Sequence, residues 1–325
     1  MRIDDIGSDF FFKYPRNPKV SYDGHLFVQD YEQLLQFDPN GVFIRNYFKK
    51  GQGPGEMQEI GDYLLVDKML IVHDRRLLKI ICFDFEGAFI KELKIIGLPI
   101  FAMLHHLHKD KYYFFGSRMP STGGKPEVVD VPHDLLSVSE DGEKIENVMS
   151  FPVEYFVISG EGSGAMASIA ELITVPFRNS LALCHTQNYL IKIFDLESKR
   201  IVHSFLRQYK RVKVPKGRRV GAILGVGGKK YSAPREYLND ISKLFTCDDY
   251  FWVVTSTVEK EKGALVDVFN FEGEYIDNFY LKIPEAYEPI AIMYTPMTIS
   301  NGHLFRTVRN EDETFSIIKY RIEDK

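Results

Sequence analysis

The sequence predicts an all-β fold, a six-bladed β-propeller, on three observations. A hydrophobic strand repeatedly enters a short turn carrying an acidic residue or Asn and usually a Gly, and a second strand leaves it. That phrase returns about every 50 residues, the period of a propeller blade rather than of a helical repeat. Between its copies lie Asp-Gly and Asn-Gly pairs flanked by apolar runs, which are hairpin signals because these residues accept positive φ.

The phrase is clear at Gln36-Phe37-Asp38-Pro39-Asn40-Gly41-Val42-Phe43-Ile44, at Cys82-Phe83-Asp84-Phe85-Glu86-Gly87-Ala88-Phe89-Ile90, and at Val268-Phe269-Asn270-Phe271-Glu272-Gly273-Glu274-Tyr275-Ile276. Weaker copies run from Ser137 to Ile145 and from Ile193 to Ile201, and a sixth begins at Ile318-Lys319-Tyr320-Arg321. Repeat one reads as four strands: Lys19–Tyr22, His25–Gln29, Leu34–Phe37 and Val42–Phe48, with turns at Asp23-Gly24 and Asp38-Pro39-Asn40-Gly41. Repeat two places them at Tyr63–Val66, Leu70–His73, Leu78–Phe83 and Ala88–Leu93. The inner pairs of the next three are Phe101–Leu107 with Tyr112–Phe115, Ile169–Val175 with Leu181–Cys184, and Ile241–Phe245 with Tyr250–Thr255. Repeat six offers Met297–Ile299, His303–Val308 and Phe315–Tyr320 but no outer strand. Met1–Ile6 has no partner in repeat one, so it is expected to pair beside Phe315–Tyr320 and close the ring, removing a sheet edge. The 325 residues then form one domain. Three stretches are expected as long connections: Ser117–Asp134, Phe151–Ala167 and Arg207–Asn239.

A net charge of -4 gives no global pull toward nucleic acid or anionic membrane. The sequence lacks the 18-residue apolar run that a spanning helix requires and an h-region near Met1. If Met1 is the true start, the reading is cytoplasmic. Cys82, Cys184 and Cys247 sit in apolar strand patterns of different repeats and are expected to be reduced. Neither a Gly-x-Ser-x-Gly elbow nor an HExxH helix occurs. Gly225-Val226-Gly227-Gly228-Lys229-Lys230 lacks the spacing and hydroxyl of a phosphate loop, and Gly51-Gln52-Gly53-Pro54-Gly55-Glu56 reads as a structural turn between blades.

Pro18-Lys19-Val20-Ser21-Tyr22-Asp23-Gly24-His25-Leu26-Phe27-Val28-Gln29-Asp30, followed by Phe37-Asp38 and Gly41, resembles an NHL-type repeat. The loop Gly51–Glu56 resembles the G-x-G-P-G-E loop of bacterial six-bladed propellers grouped with the TolB-like propellers. The motifs are sharp over residues 18 to 93. The resemblance implies a six-bladed ring, an extracytoplasmic (periplasmic or secreted) setting, and a wider group that includes calcium-dependent lactonases and lyases.

Ligands of propellers gather where inner strands begin and second-to-third-strand loops open. Those loops hold Tyr31, His73, Arg75, Arg76, Arg118, His185 and Arg309. The mix suits an anionic or hydroxyl-rich ligand, because guanidinium pairs with carboxylate through parallel hydrogen bonds. The expected function is a binding module for a small anionic molecule, a glycan or a protein partner, without nucleic acid or a membrane span. Arg75 or Arg76, Arg118 and Arg309 are expected to converge from three blades without carboxylate partners. No cofactor is expected on this reading. The alternative is a calcium-dependent lactonase-like hydrolase or lyase with metal ligands at the inner-strand starts, Asp62, Asn239 and Asp240. His106 and His108 share a strand face as a weaker chelate candidate. The basic run Lys210–Arg219, continuing to Lys229, Lys230 and Arg235, is expected as a flexible loop over the mouth.

Overall fold

The computed structural model describes residues 1–4, 12–99, 101–160, 163–284 and 288–323. These form five four-stranded sheets, one five-stranded sheet and a two-stranded ribbon. The chain falls into two compact units: unit 1 is Met1–Gly116, Leu136–Glu146 and Thr295–Lys325, and unit 2 is Ser117–Leu135 and Asn147–Tyr294.

β1 (Arg2–Ile3) opens the chain, and blade 1 follows as β2 (Arg16–Val20), β3 (Leu26–Gln29), β4 (Leu34–Phe37) and β5 (Phe43–Asn46). Blade 2 is β6 (Ile60–Val66), β7 (Met69–Asp74), β8 (Lys79–Asp84) and β9 (Phe89–Lys94). Blade 3 begins with β10 (Met103–His108) and β11 (Lys111–Ser117), continues with β12 (Glu127–Val138) and β13 (Ile145–Gly160), and gains a fifth strand, β14 (Ser163–Ser168). Blade 4 is β15 (Leu172–Phe177), β16 (Ser180–His185), β17 (Leu190–Asp195) and β18 (Arg200–Leu206). The ribbon is β19 (Gly221–Val226) with β20 (Lys229–Pro234). Blade 5 is β21 (Ile241–Cys247), β22 (Tyr250–Glu259), β23 (Gly263–Asn270) and β24 (Tyr275–Leu281), followed by a short helix, α1 (Pro289–Tyr294). Blade 6 is β25 (Met297–Ser300), β26 (His303–Arg309) and β27 (Phe315–Arg321), to which β1 adds its fourth strand.

The repeated phrase is the turn between third and fourth strands. Asp38 accepts the Asn40 and Val42 amides at 2.9 and 2.8 Å, and Asp84 accepts the Ala88 amide at 2.7 Å. Asn270 accepts the Glu274 amide at 2.8 Å. Three residues on, Gly41, Gly87 and Gly273 hold φ of 82°, 90° and 80°, where a Cβ is strained. In blade 4 Ser198 stands at that position, and the positive φ, 54°, falls one residue later on Lys199. The short polar residue closes the turn and the glycine reverses it, so the pair can be read from sequence.

Apolar side chains alternating along these strands meet between neighbouring blades. In unit 1, Phe27, Tyr47, Tyr63, Val72 and Phe83 fill the space between blades 1 and 2, and Ile3, Val28, Leu35, Phe305 and Ile317 that between blades 6 and 1. In unit 2, Ile191, Phe205, Ile241, Phe251 and Phe269 join blades 4 and 5.

Arg2 and Ile3 pair with Ile318 and Ile317, beside the expected strand, while residues 5 and 6 of the expected pairing segment lie outside the described residues. Two expected long connections are largely strand. Only 118–126 separates β11 from β12, and most of Phe151–Ala167 is the β13–β14 hairpin. Gly160 pairs with Ser163 and Ser159 with Gly164, so Gly160 and Gly164 belong to strands rather than to a loop. The third connection contains the β19–β20 ribbon. One ribbon face packs Ala222, Leu224 and Tyr231 against Phe156, Ile158 and Ala165. Among the described residues no helix is long and apolar enough to cross a membrane.

Candidate functional site

In blades 1, 2 and 4 a buried acceptor at the end of the second strand fixes the start of the inner strand or the turn beyond it. Asp30, fully buried, accepts the Lys13 and Tyr14 amides at 2.7 and 2.6 Å and the Gln33 amide group at 3.3 Å. Burial pushes its carboxyl above the usual range, against the lowering by these donors. Asp74, also fully buried, accepts the Gln58, Arg76 and Leu77 amides at 2.6, 2.9 and 2.9 Å. In blade 4 the place is taken by Thr186, whose hydroxyl accepts the Glu171 amide at 2.9 Å. These tethers hold the turns that carry Tyr31 and Arg76.

In unit 1 the two turns frame a cleft of ≈ 300 Å³ lined by Arg16, Tyr31, Glu32, Gln58, Glu59, Ile60 and Arg76. Its carboxylates already hold cations: Lys50 lies 2.7 Å from Glu32, and Arg75 bonds Glu59. The Glu59 carboxyl is lowered, chiefly by that hydrogen bond. Among the described residues Arg16 and Arg76 have no ion-pair partner, so the cleft carries excess positive charge. Tyr31 is 64% exposed and has φ 50°. A bulky residue in the left-handed region is strained, and such strain persists where surrounding structure holds it.

The structure brings the expected Tyr31 and Arg76 to one cleft, with Arg75 bonded to its Glu59; the sequence reading missed Arg16, the first residue of β2, and Gln58 and Glu59, which lead into β6. The available signal was position, since residues leading into an inner strand lie at the same end of the blade as the second-to-third turns. His73 does not open to the cleft. It is 2% exposed, stacks edge-on with Phe114 at 5.1 Å, and burial lowers its pKa to about 4. Arg309 lies in blade 6 and pairs with Glu313 of the same blade at 3.0 Å. Arg75 likewise spends its charge on Glu59 within blade 2. The expectation of unneutralised arginines therefore fails for these two, because a carboxylate of the same blade, Glu59 sixteen residues before Arg75 and Glu313 four after Arg309, reaches each guanidinium. Arg118 and His185 belong to unit 2. Arg118 is exposed, and the His185 pKa is lowered by burial and then by Lys192.

The three proposed metal ligands are each engaged by a protein cation. Asp62 of unit 1 accepts from Asn17 at 2.7 Å and from the Lys19 ammonium at 3.3 Å. In unit 2, Arg211 lies 3.1 Å from Asp240, and Arg235 donates to the Asn239 side chain. Among the described residues no three His, Cys, Asp or Glu side chains gather as a metal cage. His106 and His108 stack at 6.3 Å, and burial holds the His106 pKa near about 4. The Gly51–Glu56 loop turns on itself: the Glu56 carboxylate accepts the Gly53 amide at 2.8 Å, and the Gly53 carbonyl accepts Lys79 at 3.2 Å. Cys82, Cys184 and Cys247 are free thiols.

Residues 8–151 match a family model described as a 6-bladed β-propeller. The chain is a six-bladed β-propeller. Solved structures share this fold at low identity. A candidate exported protein of Bacteroides fragilis is 9% identical with a TM-score of 0.53, over 100% of this chain and 95% of that one. A member of the DUF4221 family from Bacteroides vulgatus is 10% identical with a TM-score of 0.57, over 99% and 97% of the two chains. Virginiamycin B lyase of Staphylococcus aureus is 16% identical with a TM-score of 0.46, over 100% of this propeller and 89% of the lyase. No curated protein matches the chain. The family match gives the propeller and leaves its ligand to be argued from the cleft.

Proposed function

We propose that this propeller is a binding module whose unit 1 takes an anionic, hydroxyl-rich ligand, such as an acidic sugar, in the cleft between blades 1 and 2. The observation that carries the reading is the charge balance there. Glu32 and Glu59 are matched by Lys50 and Arg75, which leaves Arg16 and Arg76 to meet a ligand carboxylate. Tyr31 supplies an exposed aromatic face for a sugar ring, and Gln58 a donor and acceptor for hydroxyls. An extracytoplasmic setting goes with this reading. The fold shared with a candidate exported protein supports it, and fractionation of cells making the full gene product would test it.

The binding test is calorimetric titration with D-glucuronate, with glucose as the neutral control, at low and high salt. Glucuronate is expected to bind and glucose weakly or not at all, with affinity falling as salt rises. Arg76→Gln should remove the share of glucuronate binding that this cleft supplies, and Tyr31→Ala should weaken that share. Equal binding by the wild type and the Arg76→Gln chain would overturn the proposal.

A further inference from the structure

Between residues 210 and 240 the chain carries nine Lys and Arg against two Asp and Glu, although its total is -4. Some of these cations are matched: Lys213 lies 3.6 Å from Glu236 and Arg218 2.9 Å from Glu288. Others converge. Arg211 and Arg235, both of unit 2, approach one carboxylate, Asp240, from the segment that precedes β21. Arg211 donates through Nε to Asp240 at 3.1 Å and through Nη2 to the Gln187 carbonyl at 3.3 Å, with its guanidinium 4.8 Å over the Tyr237 ring. Arg235 spends Nη1 on the Asn239 side chain and on the Ile169 carbonyl at 3.2 Å. Its Nη2 is buried and has no partner among the described residues.

This arrangement is electrostatically incomplete. A buried cationic N–H without an acceptor is unfavourable, and a second guanidinium beside it adds repulsion. Desolvation and then Arg211 lower the Arg235 pKa, while burial holds the Asp240 carboxyl above its usual range. One raised carboxyl thus serves two guanidiniums. The geometry points to a second oxyanion site, distinct from the cleft of unit 1, in which Arg211 and Arg235 receive the carboxylate of an organic acid or acidic sugar. Arg211 is the outer member, its side chain 41% exposed and held by two long hydrogen bonds. Its displacement toward an incoming carboxylate opens Arg235, and the surrounding lysines steer anions to the spot. Asp240 is the internal competitor for the same donors.

The test is titration of the full chain carrying Arg76→Gln, which silences the proposed cleft, with acetate and with D-glucuronate in parallel. Saturable binding of both identifies the carboxylate as the recognised group, and binding of glucuronate alone shows that the sugar is also read. Arg235→Gln and the exposed Arg211→Gln should each weaken binding roughly tenfold, the scale of one charge-assisted hydrogen bond. Asp240→Asn should tighten binding severalfold, because the competing charge is gone. Absence of saturable binding in the Arg76→Gln chain would overturn the site. So would affinities unchanged by Arg235→Gln and Arg211→Gln, or weakened by Asp240→Asn. A failure confined to the cleft would appear instead as glucuronate binding insensitive to Arg76→Gln.

Discussion

The buried turn carboxylates of unit 1, Asp30 and Asp74, and the buried carboxylates of unit 2 are satisfied in opposite ways. In unit 1, Asp30 and Asp74 are satisfied mainly by backbone amides, three of them in the case of Asp74. In unit 2, the fully buried Asp267 accepts from the Tyr189 hydroxyl at 2.6 Å and from Arg207, and Asp240 accepts from Arg211. Backbone donors are neutral and local, so they fix the turns of unit 1 without consuming a cation. Arg16 and Arg76 are thereby left for the cleft. Side-chain donors in unit 2 bring charge with them, so its arginines are largely committed and the surplus collects at Arg235. What holds each unit together thus decides which of its cations remain available to a ligand.

The sharpest way to break this contrast is to remove a carboxylate from unit 2. Asp267→Ala strands the Arg207 guanidinium and the buried Tyr189 hydroxyl. Loss of one partner of a buried pair destabilises by 3–5 kcal/mol, and because Arg207 is 34% exposed the lower end applies, about 3 kcal/mol. Denaturant unfolding measures it, and a change below about 1 kcal/mol would mean that the pair is structurally idle.

Acid tests unit 1 next. Burial lowers the pKa of His73 and His106 to about 4 from the ordinary imidazole value of about 6.5. The unfolded chain therefore takes up these protons first. Stability is full above pH ~6.5 and is lost progressively as pH falls toward 4, by about 2 kcal/mol per histidine at pH ~5. His73→Phe should flatten roughly half of that slope in melting curves taken between those limits. An unaltered slope would assign the acid sensitivity to other groups.

Much of the fold is legible in sequence because the governing contacts are local. Asp38 with Gly41, Asp84 with Gly87 and Asn270 with Gly273 each close a turn over three residues, so the repeat announces its own hairpins. Tyr31 and Arg76 were legible for the same reason, as residues of second-to-third turns. Arg16 and Glu59 were not, since they become neighbours only when blades 1 and 2 pack through contacts such as Gln29 to the Ile60 carbonyl at 2.8 Å and Tyr63 to the Phe27 carbonyl at 2.9 Å. The strands β13 and β14 were hidden by the glycines of their hairpin, which read as loop composition. The Arg207–Asp267 pair spans sixty residues of sequence, and no local pattern marks it.

A gentler change sharpens the contrast from the unit 1 side. Asp74→Asn keeps one oxygen for the Arg76 and Leu77 amides but turns an NH2 group toward the Gln58 amide. One hydrogen bond is lost and two donors face each other, a cost of about 1–2 kcal/mol. The substitution also loosens the turn that positions Arg76, so glucuronate affinity should fall with stability. Retained affinity in a destabilised chain would show that Arg76 is held by something other than its amide.

The smallest effect belongs to the pair in blade 6. Arg309 and Glu313 meet at 3.0 Å, but their side chains are 62% and 79% exposed, so water screens both charges with or without the bond. Arg309→Ala should change stability by no more than about 0.5 kcal/mol, against about 3 kcal/mol for the buried pair of unit 2. Its value lies in the second readout. Arg309 ends β26, beside the turn equivalent to that of Arg76, and position alone would give both the same role. If charge balance decides which arginine serves the ligand, Arg309→Ala leaves glucuronate binding at the cleft intact while Arg76→Gln removes it. Comparable losses from both would mean that Glu313 releases Arg309 on binding, and the site would then have to extend into blade 6.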